Sequence, residues 1–146
     1  MTPSPALAAW LQTHGFPADN LNATTHNRAT PLMLAAQQGD HAIAAELIQC
    51  GVDLNATNND GNNALWLACF NGDPQVIDLL IASGIDLNNR NDNGATCLMY
   101  AASASKTAVV ELLLKAGADT KIKSLDDFTA LDVAGNLECL RMLRRV

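Results

Sequence analysis

The chain repeats itself every 33 residues, and self-similarity at a fixed period constrains a fold more than any single motif. Thr30-Pro31-Leu32-Met33-Leu34-Ala35-Ala36 is followed 33 residues later by Asn63-Ala64-Leu65-Trp66-Leu67-Ala68-Cys69. The next step reaches Thr96-Cys97-Leu98-Met99-Tyr100-Ala101-Ala102, and a third reaches Thr129-Ala130-Leu131-Asp132-Val133-Ala134. The same register aligns Leu47, Leu80 and Leu113, then Gly51, Gly84 and Gly117, then Asp53, Asp86 and Asp119, without a gap. A unit this short cannot bury an apolar face alone, so successive units must stack.

Each period reads as helix, turn, helix, loop, which makes the chain all-α. Thr30, Asn63, Thr96 and Thr129 are N-cap residue types, so a first helix is expected to start at each. Gly39 and Gly72 then stop the helix, and Asp40 and Asp73 cap a second one, with Pro74 in its first turn. Val76, Ile77, Leu80 and Ile81 form a one-sided apolar stripe, as do Val109, Val110, Leu113 and Leu114. The Asn- and Asp-rich stretches that follow carry Asp60-Gly61 and Asn93-Gly94, which are tight-turn pairs.

Thr30-Pro31-Leu32-x-Leu34-Ala35-Ala36, together with Val109-Val110-x-Leu112-Leu113-Leu114-x-x-Gly117-Ala118-Asp119, resembles the ankyrin repeat family over residues 26–146. The resemblance implies a solenoid of stacked helix-turn-helix repeats with hairpin-like loops. It divides the chain into an N-terminal capping half-repeat (1–25), repeats at 26–58, 59–91 and 92–124, and a truncated C-terminal cap (125–146). The last period lacks three residues after Ala134, and the pattern resumes at Gly135-Asn136-Leu137-Glu138. The family usually has His after Thr-Pro-Leu, where the ring ties adjacent repeats together. Here that position holds Met33, Trp66, Met99 and Asp132. Met33, Trp66 and Met99 read either as core-edge residues or as an apolar contact strip.

Composition narrows the function. Fifteen acidic residues against nine basic ones give a net charge of −6, the wrong sign for a backbone-reading nucleic-acid binder or an anionic membrane surface. No apolar run is long enough to span a bilayer. Residues 1–18 hold no Lys or Arg, so no secretory signal is expected. Cys50, Cys69, Cys97 and Cys139 lack Cys-x-x-Cys spacing, which argues against a zinc or redox pair. His14, His26 and His41 have no metal-ligand spacing, and no phosphate loop or nucleophile elbow occurs. The chain therefore reads as a non-enzyme with no cofactor and no metal, cytoplasmic and monomeric.

The resemblance implies a protein partner, held on a concave face of loop tips and first helices. Carried over by position, the candidate contacts are His26, Asn27, Gln37, Gln38, Asn59, Asp60, Asn62, Trp66, Phe70, Asn71, Arg90, Asp92, Asn93 and Ser103. Phe70 stands out, because its repeat-mates are Gln37 and Ser103 and it has no evident core role. Residues 1–105 carry nine acids and two bases, which favours a basic partner. The expected role is a protein–protein interaction module acting as adaptor, inhibitor or protective partner. The competing reading is a structural spacer or cap within a larger assembly.

Overall fold

The computed structural model describes residues 2–146, which form eight α-helices and one 3-10 turn, with no strand among the described residues. They cluster into two compact units, one running to Ile85 and the other from Asp86 onward.

The first unit contains α1 (Pro5–Thr13), a 3-10 turn (His26–Arg28), α2 (Pro31–Gln38), α3 (His41–Gln49), α4 (Ala64–Asn71) and α5 (Pro74–Ala82). Side chains fix the helix starts. Ser4 Oγ accepts from Leu7 N, Thr30 Oγ1 from Met33 N, Asp40 Oδ1 from Ile43 N, Asn63 Oδ1 from Trp66 N, and Asp73 Oδ1 from Gln75 N. Each bond satisfies an N–H that the helix itself leaves unpaired. α2 packs on α3 and α4, α5 on α3 and α4, and α1 on α3. Leu7, Leu11, Leu32, Leu47, Leu65, Val76, Ile77 and Leu80 form the core between them, each at most 2% exposed. Successive loops are linked by a side chain, with Asn22 Oδ1 accepting from Asp53 N at 2.8 Å.

The second unit contains α6 (Cys97–Ser103), α7 (Thr107–Lys115) and α8 (Leu137–Arg144). α7 packs on α6 and α8, burying Leu98, Val110, Leu113, Cys139 and Leu143. Thr96 caps α6 and Asn136 caps α8, whereas Lys106 opens α7 without a side-chain cap bond. The loop link recurs, from Asp119 N to Asn88 Oδ1 at 2.8 Å.

One expectation is corrected. No helix starts at Thr129: residues 130–133 form only turns, although Asp132 and Thr129 exchange cap-like bonds. The missing residues after Ala134 bring Gly135 N against Ala102 O, at 2.8 Å, before a second helical turn can form. Only glycine fits there, since a Cβ would lie 2.6 Å from Ser103 O and Ser105 Oγ. The position that follows Thr-Pro-Leu, open between core edge and contact strip, is filled differently from repeat to repeat. Met33 and Met99 are buried core residues, 1% and 5% exposed, while Trp66 is only partly buried. Met33 replaces a capping side chain as well, since Thr30 N donates to its Sδ at 3.5 Å.

Candidate functional site

The loop tips are built from short closed turns. Thr25 N donates to Ala29 O, Asn58 N to Asn62 O, Asn91 N to Ala95 O and Ser124 N to Phe128 O. In two of them one Asn side chain organises the bend. Asn58 Oδ1 accepts from Asp60 N and Asn62 N, and Asn91 Oδ1 accepts from Asn93 N and Ala95 N. These internal acceptors explain why Asn dominates the loops. In the first unit Asn59 N donates to Asn27 O at 3.0 Å, binding one tip to the next. In the second unit Leu125 N donates to Asn93 O at 2.9 Å in the same way.

In the first unit these tips and the outer faces of α2 and α4 enclose an open groove of about 400 Å³. It is lined by His26, Asn27, Ala29, Gln37, Asn58, Asp60, Asn62, Trp66, Leu67 and Phe70. Phe70, in the last turn of α4, is 51% exposed. Seven of the residues expected from the sequence thus share one depression. Ala29, a tip position beside His26 and Asn27, also lines it, and Asn58 and Leu67 join without having been singled out. Leu67 is an apolar residue in the repeated helix motif, a pattern that by itself signals core.

The remaining candidates are placed elsewhere or are already engaged. Asn62, although in the groove lining, is only 7% exposed and its N–H serves the turn, whereas the others lie outside the lining. Gln38 Nε2 donates to His14 Nε2 at 3.2 Å, and His14 Nδ1 donates to Trp10 O, which joins α2 to the end of α1. Asn71 is a strap: its Nδ2 donates to Gln37 O and its Oδ1 accepts from Asp73 N. The strap fills the space beside Gly39, where a Cβ would come within 2.8 Å of Asn71 Oδ1. In the second unit Arg90 braces the tips, donating from Nε to Gly94 O and from its terminal nitrogen to Lys123 O. Ser103 Oγ donates to Tyr100 O. Asp92 and Asn93 are exposed at a tip. That unit also shows Leu125 at 73% and Phe128 at 50% exposure.

Two carboxylates are held below their ordinary range. Hydrogen bonds from the Ser4 hydroxyl and backbone N–H lower Glu46, and the Thr129 backbone and hydroxyl lower Asp132. Neither lines the groove. No group of three or more His, Cys, Asp or Glu is placed to hold a metal among the described residues, and no helix among them is long and apolar enough to cross a membrane. Cys50 is half-buried and the other three cysteines are buried.

A family model described as ankyrin repeats (3 copies) matches residues 4–91 and 68–145. Comparison with curated proteins finds no match. The helix pairs, their capped starts and the tip turns agree with the family match, which spans nearly the whole length: the chain belongs to the ankyrin repeat family, whose members are generally protein–protein interaction modules and typically not catalysts.

Proposed function

We propose that the chain is a non-enzymatic binding module, an adaptor, inhibitor or protective partner, that holds another protein in the groove between its loop tips and helices α2 and α4. The observation that carries this reading is Phe70. A half-exposed aromatic ring on a helix face, beside a partly buried indole and ringed by polar side chains, is the composition of an interface hot spot. Burying the ring in a folded monomer would cost nothing chemically, so its exposure next to a depression points to a use outside the chain. Net negative charge supports a protein over a nucleic acid as the ligand. Four cysteines without a disulfide support a reducing, cytoplasmic setting, and the module acts as a monomer.

The test is affinity purification followed by binding measurements on the partner found, comparing Phe70→Ala with Gln75→Ala. Gln75 is exposed in the first turn of α5, away from the groove. Phe70→Ala is expected to weaken binding by ~2 kcal/mol, about thirtyfold, and to leave folding nearly unchanged. Gln75→Ala is expected to bind normally. Equal binding by two folded variants would move the assignment to a structural spacer or cap.

A further inference from the structure

The geometry points to a guanidinium as the group this groove accepts: an arginine side chain on a basic segment of the partner, stacked on Trp66 and Phe70 and paired with Asp60. The inference rests on the docking role proposed for the groove and names the chemistry of what enters it.

Three observations converge on a cation. The lining includes two aromatic residues, Trp66 and Phe70, and one carboxylate-bearing residue, Asp60. Asp60 is exposed, and its part in the tip turn is made through its backbone N–H to Asn58 Oδ1, not through its carboxylate. None of the groove-lining residues is Lys or Arg, and the first unit carries seven acids and a single Arg, Arg28. Aromatic faces attract a cation through the ring quadrupole, and a carboxylate within reach adds a charged hydrogen bond. Gln37 and Phe70 lie in the last turns of α2 and α4, where the helix dipole presents its negative end.

Arginine fits better than lysine. A flat guanidinium can lie against an indole or phenyl ring while its edge donates hydrogen bonds, and Asp60 and Gln37, whose side chains carry acceptor oxygens, are both lining residues. An ammonium offers a single point charge that prefers water. An acidic or purely apolar segment would meet Asp60 with no compensating cation in the lining.

The test uses the full chain and Nα-acetyl-arginine amide as probe, with Nα-acetyl-citrulline amide and Nα-acetyl-lysine amide as controls. Two-dimensional NMR follows the indole N–H of Trp66, and the Trp10 indole serves as an internal reference because it packs against Phe16 and His14, away from the groove. The arginine probe is expected to shift the Trp66 signal saturably without moving Trp10. Citrulline, equal in shape but neutral, should bind at least about threefold more weakly. Asp60→Asn should weaken the arginine probe about two- to fivefold, and added salt should do the same. Equal binding of arginine and citrulline, or a Trp66 signal that moves only when Trp10 does, overturns the inference. Lysine binding as tightly as arginine overturns the guanidinium assignment. The two proposals fail separately. If Phe70→Ala abolishes partner binding while Asp60→Asn leaves it intact, docking stands and the cation inference falls. If Phe70→Ala and Gln75→Ala bind the partner alike, docking falls whatever the probe does.

Discussion

At the scale of single residues, the repeat register assigns a task to each position, and departures from it show as strain or as exposure. Gly39 and Gly72 end their helices in the left-handed region, at φ +71° and +89°. The residue in that register in the next repeat is Ser105, which is forced to φ +59°. An L-residue is disfavoured there because its Cβ crowds the following carbonyl. Ser105→Gly is therefore expected to raise stability by ~0.5–1 kcal/mol, the strain relieved outweighing the entropy that glycine adds to the unfolded chain. Urea denaturation reads the change, and a loss of stability would show that Ser105 is not strained. Leu80 gives the opposite case. It is fully buried in the stripe of α5, and Leu80→Ala should cost ~2–5 kcal/mol in the same assay. A change under about half a kcal/mol would place Leu80 outside the core.

At the scale of elements, the terminal helix α1 is tied down by one carboxylate. Ser4 both caps α1 and donates to Glu46 of α3 through its N–H and its hydroxyl. Because those bonds lower the Glu46 carboxyl below its ordinary 4.5, their contribution is fully present above that pH. It is lost as pH falls through the lowered folded value. Acidification below pH 4.5 and through that lowered value should therefore loosen α1 before α2–α5. Amide exchange at Leu7 and Ala8, compared with Leu65 and Ile77, measures the order. Glu46→Gln should loosen α1 already at neutral pH and flatten the acid dependence. Identical acid profiles in the two proteins would mean that the Ser4–Glu46 contact does not anchor the helix. α8 is held differently, by Asn136 at its start and by Cys139 and Leu143, buried where it packs on α7. Its Arg141 and Arg144 are exposed in the last turn, where positive charge suits the helix dipole.

At the scale of the whole molecule, packing is organised in two units, each with its own core, and charge follows the same division. The seven acids and one arginine of residues 1–85 leave that unit at −6, while acids and bases balance over residues 86–146. A repeat protein is stabilised by contacts between neighbours, so damage should spread only locally. Removing residues 125–146 deletes α8, the Leu125–Asn93 bond and Gly135, whose N–H binds Ala102 O. The expected result is lost amide protection in α6 and α7 with protection kept in α2–α5. Hydrogen exchange on the truncated chain checks this, and uniform loss along its length would show one cooperative block instead.

The sequence by itself determined the features that act over a few residues or recur in register. Thr30, Asn63, Thr96 and Asn136 cap helices through bonds to the third residue onward, and Gly39 and Gly72 stop helices through their own backbone freedom. Leu47, Leu80 and Leu113 are buried because a shared register gives them equivalent neighbours. Tertiary structure decided what depends on a particular neighbour. Met33, Trp66 and Met99 hold one register position, yet the flexible thioethers are buried while the larger indole remains partly in the groove. Asn71 and Arg90 look like surface contacts in a string of letters, but each is committed to backbone carbonyls more than 30 residues away. Gly135, drawn against Ala102 by a three-residue deficit, removes a helix that Thr129 was chemically able to start. Local propensity and periodicity report what a residue can do. Which partners compete for it is set by chain segments far away in sequence, and that competition is resolved only when the repeats pack.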